Sequence, residues 1–379
     1  MMPHDFDNGL EKMAVRSEIK SARPIGRPPV KQRKIVTELR RQIVSGAIAP
    51  SGRMATREKL CLEYEASSVT VQQALDQLMA EGFAVARGTL GTFVADRPPH
   101  LSRYIIVVAF TPQSDQYTRF WTAMDNEARR LRRDGKFDIQ IRHGVENHLD
   151  NEPFQRLLAD VKYHRLAGLI FLHAPFYYRH TPLLDGAGIP RVAFMEPISG
   201  YPSVQAVHTL YTAVIERGLD YLSSRGRRRV AMIMNQYLPT GGVAWLEKAV
   251  ADRGMFMEPH WMQFVHSGMS LSASHCAQLL MHRNQTVRPD GLIIADDNLV
   301  EATSAGLVRA GVRVPEDLEV VAHCNFPWPT PSVLPVKRLG FDARRVLHEC
   351  IQSIDAQRRD KRIEAPILVP AVFEEELPD

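Results

Sequence analysis

The chain has 379 residues, enough for two or three domains and at least one large core. Hydrophobic residues make up 45% and charged residues 24%, which excludes wholesale disorder. No apolar run reaches the ~18 residues of a membrane helix, and the polar start MMPHDFDNGLEKMAVRSEIK lacks the apolar core of a secretory signal. Net charge is only +4, but between Lys12 and Arg41 ten Lys or Arg stand against Glu18 and Glu38, a local excess of +8. Such an excess fits a polyanionic partner or a solvated tail, and charge alone does not choose between them.

Residues 1–30 show little apolar periodicity and read as a flexible basic arm. Within it, Gly26-Arg27-Pro28 resembles the core of an AT-hook, which lays arginine into a narrow minor groove. Order begins at Lys31, where Ile35, Leu39 and Ile43 recur at helical spacing before Gly46 stops the helix. A second short helix is predicted from Thr56, with Leu60 turned inward, followed by a turn at Glu65–Ala66. Ser67 or Ser68 can cap a third helix that buries Val71, Ala74, Leu75 and Leu78 and ends at Gly82. Two short strands, Phe83–Arg87 and Thr92–Ala95, then flank Gly88-Thr-Leu-Gly91. Three helices and a hairpin are the order of a winged helix-turn-helix, which places this domain at 31–96 and a linker at 97–103.

From residue 104 to 379 apolar runs alternate with helical patterns. The runs are Tyr104–Phe110, Phe137–Ile141, Gly168–Leu172, Arg191–Phe194, Arg229–Met234, Gly291–Ala295 and Leu318–Ala322. Such alternation predicts parallel sheets with both faces covered, and the length of the region predicts two lobes.

The stretches ELRRQIVSGAIAPSGRMATREKL, VTVQQALDQLMAEGF and GTLGTFVAD resemble the GntR family of winged-helix regulators. The resemblance implies double-stranded operator DNA as partner. The third helix would offer Ser67, Ser68, Val69, Thr70, Gln72 and Gln73 to the major groove, where glutamine can pair with adenine and apolar methyls can touch thymine. Arg57 falls where the family has an arginine in its PSER-like start. Lys31 and Arg33, with Arg87 and Thr89 of the wing, complete the implied DNA-binding set. Family members often carry arginine where this chain has Ser68 and Gln72. That departure predicts a weaker or more A·T-leaning site, with the basic arm supplying salt-sensitive affinity.

The downstream region resembles the sensor domain of LacI/GalR-type repressors, a periplasmic-binding-protein-like fold. Val312-Arg-Val-Pro-Glu-Asp-Leu-Glu-Val-Val321 is similar to the VPEDVSVV signature and Ile294-Ala-Asp-Asp-Asn298 to the AAND motif; Gly188-Ile-Pro-Arg-Val192 and Tyr221–Arg229 match in order. The overall expectation is an α+β winged helix-turn-helix followed by a two-lobed α/β domain with parallel sheets. The resemblance implies three crossings between lobes, placed near His208, Val336 and Ala365, and a small-molecule effector in the cleft at the strand ends. Cleft residues implied in this way are Gln113, Asp115, Tyr117, Phe120, His173, Glu196, Gln236, Tyr237, Asp296 and Asn325, with Phe176, Asp297 and Trp328 nearby.

Sugar-binding members hold hydroxyls with an arginine that falls near Gly242 here and an aspartate that falls near Cys324, and both are missing. Three readings remain open. The effector is a different sugar-like molecule, or a more apolar or cationic one stacked on aromatic rings, or the cleft is degenerate and the domain serves dimerisation.

No GxSxG, HExxH, Walker loop or GxGxxG follows a strand, so no enzyme activity is expected. Cys61, Cys276, Cys324 and Cys350 form no CxxC pair and the histidines show no ligand spacing. No metal, cofactor or membrane contact is expected. The predicted protein is a cytoplasmic homodimer.

Overall fold

In the computed structural model, residues 30–114, 118–135, 137–148, 150–185, 188–197, 204–235, 241–359 and 365–378 are described. The basic arm with Gly26-Arg27-Pro28 lies outside them. Three helices open the described chain: α1 (Val30–Val44), α2 (Arg57–Glu63) and α3 (Ser68–Ala80). The helix start expected at Thr56 and the cap expected at Ser67 are in place, and Thr56 also serves as a cap. The Thr56 hydroxyl accepts from Lys59 N (3.3 Å) and Ser67 Oγ from Thr70 N (3.2 Å). Each satisfies an N–H that the first helical turn leaves unpaired. The wing is β1 (Ala84–Ala86) paired antiparallel with β2 (Thr92–Val94). Ile35, Leu39, Leu60, Val71, Leu78, Phe83 and Val94 form one small core.

The stretch 97–103 is more ordered than a bare linker. Pro99–Ser102 makes a single helical turn, α4, and the first strand of the sensor starts at once, β3 (Arg103–Val107). There follow α5 (Arg119–Arg133), β4 (Asp138–Arg142), α6 (Glu152–Lys162), β5 (Gly168–Phe171), β6 (Arg191–Phe194) and β7 (Gln205–Thr209). The second lobe contains α7 (Tyr211–Ser224), β8 (Val230–Met234), α8 (Gly242–Ala251), β9 (Met262–Phe264), α9 (Ser270–Leu280), β10 (Gly291–Ile294), α10 (Val300–Arg309), β11 (Glu319–Phe326) and β12 (Lys337–Asp342). The chain then runs through α11 (Ala343–Gln357), β13 (Ile367–Val369) and β14 (Val372–Phe373).

One sheet has strand order β13-β7-β6-β5-β3-β4, the other β14-β12-β11-β10-β8-β9. All pairs are parallel except the antiparallel edge pair β12–β14. The central strands β5, β8 and β10 are apolar throughout because helices cover both faces. In β3, Tyr104 and Ile106 pack toward α5 and α11, while Ile105 and Val107 pack toward α6. In β8, Ala231 and Ile233 meet α9, whereas Val230, Met232 and Met234 meet α7 and α8. Two glycines allow close approach. A Cβ on Gly306 of α10 would lie 2.3 Å from the carbonyl oxygen of Ser274 in α9, and one on Gly340 would lie 1.8 Å from that of Cys324.

The three crossings are present, but two fall elsewhere than expected. The first follows β7 at Leu210, next to the predicted His208. The second is at Asp342–Ala343, not Val336, and the third at Pro370–Ala371, not Ala365. The reason is that Lys337–Asp342 is a strand although its first two residues are charged. It pairs along its length with β11, and this pairing, rather than an apolar run, makes it part of the second sheet.

The head docks on the first lobe through the far end of α3. The Glu81 carboxylate, which follows α3, pairs with Arg40 of α1 and with Arg165 of the lobe (2.5 Å). Arg40 is 4% exposed, and its guanidinium lies 5.1 Å from the centroid of Tyr163 and 5.5 Å from that of Phe83. His100 of α4 stacks on Phe83 at 5.9 Å. Removing charge from water is offset only when partners and hydrogen bonds are supplied, and here three cation–acid–ring contacts supply them.

Candidate functional site: nucleic-acid interface and interlobe cleft

The inward residues of α3 are Val71, Ala74, Leu75 and Leu78, so its outer face is fixed by helical geometry. Ser67, Ser68, Val69 and Gln73 are exposed there, and Thr70 and Gln72 are half-buried. Val69 is 67% exposed, a cost in water for an isolated apolar side chain and an asset against a thymine methyl. The Gln72 amide donates to Asp76 Oδ1 (2.7 Å), a neighbour one turn on that sequence reasoning did not single out. That bond orients the side chain and uses one of its two N–H groups, so the other N–H and the carbonyl oxygen stay available.

The basic residues divide into two groups. Arg33 and Arg57 are exposed on the first turns of α1 and α2. Lys31 instead donates to the carbonyl oxygen of Glu65, tying α1 to the turn before α3. Glu65 takes φ 46°, so this turn is held in a conformation that residues with a Cβ seldom adopt. Arg87 pairs with Asp96 (2.9 Å) and lies 4.8 Å from the centroid of Phe93, so it braces the wing. Thr89 is exposed in the turn at the tip of the wing. Arg53, exposed and bridged through its backbone to Phe93, was missed by sequence reasoning. Its signal was a basic residue within the stretch already matched.

In the cleft, the structure gathers some expected residues and separates others. Asp115, Tyr117, Gln236 and Tyr237 lie outside the described residues. Asp296 accepts from the backbone N (2.8 Å) and the side-chain amide (2.7 Å) of Asn298. Asp297 is 3% exposed and accepts from the amide of Asn325 (2.6 Å). Burial, aided by the neighbouring charge of Asp296, pushes the Asp297 carboxyl up to about 7. Phe120 stacks on Phe194 at 4.6 Å and belongs to the wall of the first lobe. His173 stacks on Tyr178 at 6.2 Å, and burial lowers its proton affinity. Gln113 and Glu196 stand exposed on loops after β3 and β6, and Trp328 is 36% exposed.

Sequence reasoning missed the contact that joins the lobes. Arg119, at the start of α5, donates its backbone N–H to Asn298 (3.0 Å) and its guanidinium to Glu301 (3.1 Å). Asn298 was within a recognised motif, but its partner lies 179 positions away and no local pattern announces it. Of the two positions where sugar-holding residues were expected, Gly242 opens α8 without a side chain, and Cys324 is buried in β11 with its thiol pushed up by burial. At the hinge, His323 is buried between the rings of Tyr211 (6.4 Å) and Phe341 (5.7 Å), and neither ring nitrogen has a hydrogen-bond partner.

Comparison with known proteins agrees with both halves of this geometry. Residues 31–94 match the profile of bacterial regulatory proteins, gntR family, and residues 219–371 that of the periplasmic binding protein-like domain. The arabinose metabolism transcriptional repressor of Halalkalibacterium halodurans is 23% identical over 355 residues, covering 86% of this chain and 89% of that protein. Among solved structures, the transcriptional regulator CelR in complex with cellobiose has a TM-score of 0.53 at 18% identity, covering 82% of this chain and 90% of its own. A LacI family regulator from Lactobacillus casei with bound glucose has a TM-score of 0.52 at 16% identity, covering 72% and 98%. These likenesses show the fold. The chain joins a gntR-family DNA-binding domain to a LacI-like periplasmic-binding-protein-fold domain, the domain pair of a DNA-binding transcriptional regulator.

Proposed function

We propose that this gntR-type regulator is a repressor whose operator affinity is set by a small polar effector, a sugar or sugar-like metabolite, held between the two lobes of its sensor. The observation that carries the reading is the bridge from Arg119 to Asn298 and Glu301. It spans the lobes at the edge of the Asp296–Asn325 cluster, so a molecule entering there must exchange contacts with the same groups that set the lobe spacing. The relatives point the same way, since the similar proteins include an arabinose metabolism repressor and regulators with bound cellobiose or glucose. Two cytoplasmic chains pair through their sensors and set two heads on a roughly palindromic site. Ser68, Val69, Thr70, Gln72 and Gln73 read bases, while Lys31, Arg33 and Arg57 contact phosphates.

A thermal-shift screen of sugars and related metabolites against the full chain tests the effector. Any hit is then titrated into an operator-binding assay. A compound that stabilises the protein and changes operator affinity supports the proposal. A second reading, a degenerate cleft serving only dimerisation, is favoured by the missing arginine and aspartate at Gly242 and Cys324. It predicts operator binding that no member of the panel alters.

A further inference from the structure

The junction between the head and the first lobe forms an open pocket of about 460 Å³. Three separate parts of the chain line it: Val44 of α1, His100 of α4, and His164, Pro190, Gln357 and Arg358 of the first lobe. Its size falls in the range of small-molecule sites, roughly 300–1,000 Å³. Its charge is one-sided, for two imidazoles and a guanidinium line it and the described lining contains no carboxylate.

A cavity of the same size against α5 and α11 makes the contrast. There Glu127, Asp342 and Glu376 accompany the arginines, and each is paired, with Arg130, Arg344 and Arg217 respectively. Among the described residues Asp355 offsets Arg358 (3.1 Å) and also accepts from the Tyr104 hydroxyl (2.6 Å), while Arg358 donates as well to the carbonyl oxygen of His100 (3.2 Å). His100 Nδ1 and Arg358 Nε are buried without any hydrogen-bond partner. His164 takes φ 51°, a backbone state uncommon outside glycine. Burial, with Arg358 and His164 close by, pushes the His100 imidazole down to about 4.

We propose that this cavity is a second ligand site, distinct from the interlobe cleft, that takes a phosphate-bearing metabolite. A phosphate offers several acceptor oxygens, and Arg358, His100 and His164 approach from different elements with donors to meet them. The anion also adds negative charge to a cluster whose guanidinium is met by Asp355 alone among the described carboxylates, so His100 takes up a proton as it binds. The groups that face this imidazole are Arg358 and His164, with Asp355 behind Arg358, and only the added anion changes their balance. An occupant touching α1, α4 and α11 at once also ties the head to the first lobe.

The test is isothermal titration of the full-length chain with inorganic phosphate and with glucose 6-phosphate, using glucose as uncharged control, at constant ionic strength. The proposal expects saturable binding of the phosphate-bearing probes, with proton uptake visible as a dependence of the heat on buffer ionisation. Arg358→Gln should weaken it by about tenfold or more. His164→Gln, at an exposed position that does not threaten folding, should weaken it measurably. Asn298→Ala, in the cleft, should leave it unchanged. Absence of saturable binding up to about 10 mM, equal affinity in His164→Gln and the parent, or loss of binding in Asn298→Ala would each overturn the assignment.

Discussion

The outer face of α3 and the interlobe cleft use similar polar side chains but present them in opposite ways. On α3, Ser68, Val69 and Gln73 stand exposed on a convex rod whose shape is set by its own backbone. In the cleft, Asp296, Asp297, Asn298 and Asn325 are hydrogen-bonded in two pairs, and Arg119 closes over one of them. DNA is met by a surface that needs little rearrangement. A small ligand must replace bonds that already exist, so only the difference between old and new contacts is available as affinity.

Five substitutions break or sharpen this contrast, in decreasing order of effect. Both regions depend on the junction, and Glu81→Ala would leave Arg40 buried beside an unmet charge. A loss of about 3 kcal/mol in unfolding stability is expected by urea denaturation, in the range for breaking a buried pair. A change below about 0.5 kcal/mol would mean that the head is held by other contacts.

Asp297 tests the cleft. Its carboxyl is raised from the ordinary 3.8 to about 7, so the folded protein holds this proton more tightly than the unfolded chain. The group's contribution to stability is therefore greatest below the unfolded value and declines as pH rises through the folded one. Asp297→Asn should remove that decline and stabilise the protein at pH 8 by about 2 kcal/mol, since each pKa unit is worth about 1.4 kcal/mol before relaxation is allowed for. Parallel pH profiles of parent and variant would refute it.

Gln73→Ala should cost about 1 kcal/mol on a cognate operator and little on random DNA, as measured by fluorescence anisotropy. Arg33→Ala should instead weaken both alike and lower the salt slope by about one. Equal losses on both DNAs for Gln73→Ala would remove its base-reading role. The smallest effect on stability belongs to Arg119→Ala, at most about 1 kcal/mol because both partners are exposed. Its main readout is scattering or effector response, where a released lobe contact should show; an unaltered profile in both would make the bridge incidental.

Much of the head was legible in the sequence because its instructions are local. The caps at Thr56 and Ser67 act three residues downstream, and the buried stripe of α3 repeats at helical spacing. The central strands were legible for a related reason, since a strand covered on both faces must be apolar throughout. Strand β12 escaped because Lys337 and Arg338 open it, and with it went the position of the second crossing. The expected cleft residues came from motif order, which put Asp296 and Asn325 near each other. It did not reveal that Asn325 is engaged by Asp297, or that Arg87 is engaged by Asp96.

By itself the sequence determined the helices and hairpin of the head, the apolar strands of the two sheets, and which face of α3 looks outward, because caps, glycines and apolar spacing act within a few residues. Only the tertiary structure decided which charges are spent on the protein itself. Glu81 meets Arg165 across 84 positions and Arg119 meets Asn298 across 179, and no spacing rule links them. Whether a charged group pairs, is neutralised or waits for a ligand depends on what folding brings beside it and how much water it excludes, and that environment exists only once the lobes and the head have packed.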